Sequence, residues 1–376
     1  MGKKRVLYIS NEDYQLGGSS LSLLDMLHAL GENVEPVLLF RADGVVASFF
    51  KEKGYTCIIE PFMRASYHAT GLKRVIKFIP HAILRFIRHQ KCITHVIKKV
   101  GAIDLVHTNS STVDIGPQIA HKLGVPHVWH LREYYDIGLK SSPFPSWSAW
   151  KRKLFRSDAV IAITPGLYHH WNLQTHKNAY FIPDAVCSRS EVQIIQGQRQ
   201  KVILFVAGAI TPLKRPDEAM RVFHASGLSD YSLLLIGSIE PGFKHSLEKL
   251  SIDLGIADRI KFQSAVRDVK PAMRTAAAIL VCTENEGMGR VAVEAMFSGC
   301  PVVARNSGGS RDVLKQGKLG SLYNRIEEGA LQLKAIVNDF PINIIIEAQK
   351  EAVNSYSIDT YGQKIMKIYS SFPCPQ

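Results

Sequence analysis

Apolar and polar positions alternate along this chain in blocks of two lengths. Short apolar runs at residues 5–10, 34–40, 55–59, 104–107, 126–129, 159–164 and 180–183 have the size of buried parallel strands. Between them, apolar residues recur at three- and four-residue intervals over 19–30, 47–53 and 115–123, which predicts amphipathic helices. The pattern breaks between about 184 and 199 and then restarts. Runs at 201–207, 232–237, 259–262, 278–282 and 301–304 predict strands, and 243–254, 290–297, 344–354 and 361–369 predict helices. Strand and helix alternating twice over predicts an α/β chain of two doubly wound, Rossmann-like domains. A chain of 376 residues can supply a core to each.

One stretch departs from this rhythm. Residues 62–103 hold nine Lys or Arg, at 64, 73, 74, 77, 85, 88, 91, 98 and 99, and no Asp or Glu. Val75, Phe78, Ile79, Ile83, Phe86 and Ile87 fall at helical spacing, with Pro80 expected to end or kink a helix. Such a segment either lies on an anionic membrane or turns its apolar stripe to the core and its basic side to water.

The whole chain is basic, with formal charge +13, so acidic partners are expected: nucleic acid, an anionic membrane or a diphosphate-bearing substrate. The six cysteines, at 57, 92, 187, 282, 300 and 374, form no CxxC pair, which argues against a zinc ribbon and for a reducing compartment. No run reaches about 18 apolar residues, the length a spanning helix needs. The first residues read as a short basic flank followed by a strand, not a leader. These features point to the cytoplasm or the membrane's inner face.

Candidate chemistry gathers at the ends of strands, where α/β sheets place ligands. Gly17 and Gly18 with Ser19 precede the first helix and leave amides toward the crevice, though this is no dinucleotide fingerprint. Asn109 follows the strand at 104–107. His130, Arg132 and Glu133 follow 126–129. His130 titrates near neutrality and could donate to a sugar oxygen, or it could satisfy a backbone carbonyl; Arg132 and Glu133 could form a structural ion pair. The loop 138–150, with two prolines and two tryptophans, is either a lip over an acceptor or a packed connector. In the second half, Lys214 and Arg215 follow the strand at 201–207, where a fixed cation could stabilise a departing diphosphate.

Glu286 and Glu294 are eight residues apart, with Gly287 and Gly289 between them. In one continuous helix they would sit about 80° and about 12 Å apart, too far for a catalytic pair. With Glu286 on a loop and Glu294 inside the helix, they can grip different parts of a long ligand.

The stretch EGMGRVAVE at 286–294, continued by EAMFSGCPVVARNSGG, resembles the E-x7-E motif of retaining GT-B glycosyltransferases of family 4. VHTNSSTVDIGPQIAHKLGVPHVWHLREY, at 106–134, resembles the matching N-terminal part, and IPDAV the usual IPNGV with Asp184 in place of asparagine. The resemblance implies two Rossmann-like domains facing a central cleft: an acceptor domain over 1–190, a nucleotide-sugar domain over 191–355 and a last helix, 356–376, crossing back. It implies transfer of a hexosyl group, with retention, from a UDP- or GDP-sugar to a hydroxyl of a glycan or polyprenyl-linked glycan in cell-envelope polysaccharide assembly.

By the same resemblance His130, Lys214 and Glu286 carry the chemistry. The donor would meet Gly17, Gly18, Gly208, Lys214, Arg215, Gly237, Val266, Glu286, Gly287, Met288, Gly289, Arg290, Val291 and Glu294. The acceptor would meet Ser19, Asn109, Arg132 and Glu133. No metal and no cofactor are implied, and nucleic acid is not the expected partner. The family's usual basic residue after the glycine is replaced by Ala209, for which Arg215 could compensate. A noncatalytic sugar-binding protein and a nucleotide-sugar epimerase of similar shape are the alternatives.

Overall fold

The computed structural model describes residues 3–14, 16–67, 71–139, 141–192 and 199–373, with 71–75 and 77 described in their backbone only. Part of the expected break, 193–198, lies outside the described residues, as do Cys374 and the side chains of Lys73, Arg74, Val75 and Lys77. The chain divides into two compact units, one of Met1–Asp184 with Tyr361–Gln376 and one of Ala185–Thr360. These divisions lie a few residues from 190 and 355.

The first unit holds strands β1 (Lys4–Ile9), β2 (Val34–Phe40), β3 (Thr56–Ile59), β4 (Leu105–Thr108), β5 (His127–Leu131), β6 (Ala159–Ala162) and β7 (Ala179–Phe181). Its helices are α1 (Gly18–Leu30), α2 (Val45–Glu52), α3 (Gly71–Val100), α4 (Gly116–Leu123), α5 (Trp147–Phe155) and α6 (Pro165–His170). The sheet runs β3-β2-β1-β4-β5-β6-β7, with every neighbouring pair parallel. Its order reverses between β1 and β4, so a crevice opens beyond their carboxyl ends. Leu7, Ile9, Val37, Leu39 and Val106 pack beneath Ile93, Val96 and Ile119 of α3 and α4.

The second unit holds β8 (Gln200–Ile210), β9 (Ser232–Ile239), β10 (Ile260–Gln263), β11 (Ala276–Val281), β12 (Val302–Arg305) and β13 (Ser321–Tyr323). Helices α7 (Pro216–Ala225), α8 (Pro241–Asp253), α9 (Lys270–Thr275), α10 (Arg290–Phe297), α11 (Gly308–Val313), α12 (Ile326–Asn338) and α13 (Ile342–Tyr356) accompany them. Helix α14 (Ile358–Ser370) follows, and its residues from Tyr361 on belong to the first unit. The order β10-β9-β8-β11-β12-β13 is again wholly parallel and reverses between β8 and β11.

Several elements differ from the sequence expectation. Pro80 lies inside α3, which continues unbroken for 30 residues. The proline removes one backbone donor, and the rest of a long, packed helix carries it. The stretch read as a loop over 138–150 ends in α5: the Ser146 hydroxyl accepts from the Ala149 amide, and Trp150 and Leu154 are buried. Trp150 Nε1 donates to the Ser111 carbonyl at 3.1 Å, so this region is a packed connector. Strand β5 extends through Leu131, which places His130 within the sheet. Helix α12 has no counterpart in the sequence reading.

Candidate functional site

Lys214 follows β8 and Glu286 follows β11, the two strands at which the second sheet reverses order. Their side chains meet, with Lys214 Nζ 2.8 Å from Glu286 Oε1. Both remain partly exposed. The lysine expected to receive a diphosphate and the carboxylate expected to grip sugar hydroxyls thus satisfy one another.

The loop bearing Glu286 is fixed by its neighbour. The Asn285 amide donates to Ser307 Oγ at 2.9 Å, and the Gly309 amide to the Glu286 carbonyl at 2.7 Å. Gly308 has φ +53°, and a Cβ there would lie 2.7 Å from the Glu286 amide nitrogen. A Cβ on Gly309 would lie 2.4 Å from Met288 Cα. Only glycine allows this approach, which explains the Gly-Gly pair. Gly289, at φ +88°, turns the chain into α10, where Glu294 is the fifth residue. Val291 begins that helix with Arg290, whose Nη1 donates to the Ala185 carbonyl at 3.1 Å and whose Nε stands 3.8 Å from Glu294.

Arg215, the residue expected to make up for Ala209, is paired with carboxylates of its own unit. It is locked in a ring of alternating charge: Arg215 meets Glu218 and Glu284, and Arg305 meets the same two carboxylates. Glu218 is 2% exposed and also accepts from the Tyr323 hydroxyl at 2.9 Å. The ring braces the end of β12 and the start of α7 behind the loop, so Arg215 acts as a buttress. No periodicity or motif marks Glu218, Glu284 and Arg305, which meet only in three dimensions.

Of the remaining donor positions, Gly208 and Gly237 lie where β8 and β9 pass closely. The Gly208 carbonyl accepts from Ser238 Oγ at 2.8 Å, and a Cβ on Gly237 would lie 2.2 Å from the Ala207 carbonyl oxygen. Gly287 and Met288 sit in the loop, with Met288 buried. Val266 is exposed between β10 and α9.

In the first unit, one of the amides expected to face a ligand, that of Gly17, is taken by the chain itself. The Glu12 carboxylate accepts from the Gly17 amide at 3.2 Å, the Ser20 amide at 2.9 Å and the Ser20 hydroxyl. The chain's own carboxylate therefore occupies the start of α1 beside Gly18, as helix N-termini favour. Ser19, Asn109 and Arg132 are brought together: Asn109 Nδ2 donates to the Ser19 carbonyl at 3.1 Å, and Arg132 Nε to Asn109 Oδ1 at 2.9 Å.

Arg132 and Glu133 are not each other's ion-pair partners. Arg132 pairs with Asp184, while Glu133 accepts from Ser110 Oγ at 3.0 Å and the Ser111 amide at 2.9 Å. Burial nonetheless pushes the Glu133 carboxyl above its ordinary range. His130 is wholly buried between His107 and Arg132, and burial followed by the adjacent guanidinium holds it well below the usual imidazole value. Among the described residues no cluster of three or more His, Cys, Asp or Glu has a metal-holding arrangement.

Residues 189–339 match the family of glycosyl transferases group 1. That span carries Lys214, Glu286 and Glu294 and lies within the second unit. A D-inositol 3-phosphate glycosyltransferase of Thermomonospora curvata is 33% identical over 178 residues, covering 44% of this chain and 40% of that protein. A phosphatidyl-myo-inositol mannosyltransferase of Mycobacterium leprae is 33% identical over 123 residues, covering 31% and 33%. The chain thus spans well under half the length of these curated relatives.

Solved structures extend the likeness to both units. HepE of Anabaena, in complex with UDP, superposes with a TM-score of 0.77 at 18% identity over 98% of this chain and 100% of that one. WaaG, a glycosyltransferase involved in lipopolysaccharide biosynthesis, gives 0.68 at 16% identity over 97% and 99%. The fold is that of the GT-B glycosyltransferases.

Proposed function

We propose that this glycosyl transferases group 1 protein moves a hexosyl group from a UDP- or GDP-sugar to a hydroxyl of a glycan or lipid-linked glycan, with retention at the anomeric carbon. The observation that carries the reading is the Lys214–Glu286 pair at the point where the second sheet reverses, on a loop fixed by Gly308 and Gly309. The group 1 match and the UDP-bound fold neighbour support a nucleotide-sugar donor.

On donor binding, Lys214 leaves Glu286 for the diphosphate, and the freed carboxylate accepts from sugar hydroxyls. The C1–O bond to the diphosphate breaks, an acceptor oxygen bonds to C1 on the same face, and its proton passes to a phosphate oxygen. Lys214 stabilises the charge that grows on the leaving group, so the reaction needs no metal ion. Glu294, inside α10, is suited to bidentate binding of ribose hydroxyls. Arg132, Asn109 and Ser19 form the acceptor side.

Helix α3 suits an acceptor held at a bilayer surface in cell-envelope assembly. Ile76, Ile79, Ile83, Phe86 and Ile87 are between 56% and 68% exposed, and Arg88 and Lys91 are exposed beside them. Its opposite face carries the buried Arg85 and His89. An apolar stripe flanked by cations and free of acids fits an anionic bilayer.

Incubating the purified protein with a panel of UDP- and GDP-sugars and glycan acceptors tests the proposal. NMR of the product is expected to show a new glycosidic linkage of the donor's anomeric configuration. Donor binding without turnover would instead establish a sugar-binding protein, isomerised donor without an acceptor would establish an epimerase, and absence of both binding and turnover would defeat the reading.

A further inference from the structure

Three loops of the first unit bring charge to one edge of its sheet. Asp13 lies in the loop after β1, Arg41 directly follows β2, and Arg64 lies in the loop after β3. Because these strands are parallel, all three loops leave from the carboxyl edge, where α/β sheets place ligands. Both guanidiniums turn to a single carboxylate oxygen. Arg41 donates to Asp13 Oδ2 from Nε at 3.1 Å and from Nη2 as well, and Arg64 Nη2 stands 3.4 Å from the same atom. Arg64 Nη2 also donates to the Asn11 carbonyl. The Asp13 side chain is 2% exposed, whereas those of Arg41 and Arg64 are 30% and 40% exposed.

One carboxylate cannot neutralise two guanidiniums. The other acids nearby are engaged elsewhere, Glu12 by the Gly17 and Ser20 amides and Glu133 by Ser110 and Ser111. Burial first, and then the charge of Arg41, hold the Arg64 guanidinium below its ordinary value against the pull of Asp13, Glu12 and Glu133. Its surroundings thus disfavour the cation, a condition that an added anion relieves. Among the described residues Nη1 of neither arginine meets an acceptor, so each keeps N–H groups for a ligand. The planar fork of a guanidinium matches two oxygens of a phosphate or carboxylate. Bracing the loop does not need both cations, since the Val46 amide already donates to the Asp13 carbonyl at 3.1 Å and Asn11 Nδ2 to Thr112 Oγ1 at 3.2 Å. Asn11 joins this cluster to the acceptor side: Ser19 Oγ donates to Asn11 Oδ1 at 3.3 Å, and Asn109 Nδ2 to the Ser19 carbonyl at 3.1 Å.

We propose that Arg41 and Arg64 form an anion subsite at the carboxyl edge of the first sheet, and that it selects an acceptor carrying a phosphate or carboxylate group. That the anion belongs to an acceptor rests on the proposed function, whereas binding of the anion by the two arginines does not. Asp13 holds the two forks side by side, and the acceptor's charge completes the balance that Asp13 alone leaves open.

Nε–Hε NMR of the full chain, labelled with ¹⁵N in arginine, reads the two side chains directly. Their resonances are identified by the signals lost in Arg41→Lys and Arg64→Lys, which keep the charge on Asp13. Titration with glucose 6-phosphate, glucuronate and glucose at equal concentrations is expected to shift both resonances with an acidic sugar and to leave them in place with glucose. A response to one acid alone names the group the subsite takes, phosphate or carboxylate. Arg64→Gln is expected to weaken that binding about tenfold or more, as loss of a hydrogen bond between charged groups does. In turnover assays the same substitution raises KM for an acidic acceptor by a similar factor and leaves KM for the donor and for the neutral form of that acceptor unchanged. Resonances unmoved by both acids, or moved equally by glucose, would overturn the proposal. A variant that melts early and raises every KM alike would overturn it too, since a loop brace alone acts that way. Absence of transfer in the wild-type protein, with the arginine shifts as expected, would overturn the proposed function alone.

Discussion

At the scale of the residue, carboxylates of similar sequence context have been given different work. Glu286 holds one lysine on a partly exposed loop, whereas Glu218 is buried between two arginines and a tyrosine hydroxyl. Their substitutions should separate accordingly. Glu286→Gln removes a pair that contributes under about 1 kcal/mol to stability, yet it is expected to lower transfer by about 100-fold or more, measured as initial rates beside a thermal melt. Glu218→Gln leaves Arg215 and Arg305 sharing the more exposed Glu284 alone and takes the charge from a buried carboxylate, and it is expected to cost about 3 kcal/mol, read by denaturant unfolding. Equal losses of stability in the two variants would remove the distinction. The sequence marked Glu286 through its glycines and its spacing to Glu294. It gave no hint that Arg215 would also be engaged by Glu284, because that contact joins positions 69 residues apart.

At the scale of the element, α3 is the segment whose composition and packing pull in opposite directions. The repeat of apolar residues was legible, and so were the alternatives of core or membrane for the face they form. Packing shows Ile79, Ile83 and Ile87 outward, while Arg85 pairs with Asp114 within the unit and Lys153 joins the same carboxylate. Isoleucines left in water while an arginine is buried make sense if another surface covers them. Ile79→Glu with Ile83→Glu is therefore expected to abolish cosedimentation with vesicles containing anionic lipid and to leave turnover of a water-soluble acceptor unchanged. Binding that survives the double substitution, or equal binding of the wild type to neutral vesicles, would refute the membrane role. Arg85→Leu acts differently, through the fold, since it strips Asp114 of a buried partner.

At the scale of the whole molecule, buried histidines tie stability to pH. His107 and His130 are held well below the ordinary value and His127 is pushed down to about 3, in each case chiefly by burial. Unfolding returns each to about 6.5, where it takes up a proton that the folded chain refuses. Their contribution to stability is thus complete above about pH 6.5 and is lost as pH falls below it, by up to about 1.4 kcal/mol per pH unit for each ring. The melting temperature is expected to drop steadily from pH 7 to pH 5; a flat profile across that window would contradict neutral burial. The sequence alone determined the two parallel α/β units and the loop positions of Lys214 and Glu286, because strand length, helical spacing and glycine turns are local properties written in consecutive residues. Only the tertiary structure decided that Glu12 fills the start of α1, that Arg132 pairs with Asp184, that Arg215 braces a loop and that Arg41 and Arg64 turn to Asp13. Each of those contacts joins side chains whose separation along the chain carries no period, and burial makes charges and donors choose whichever partner the fold brings within reach.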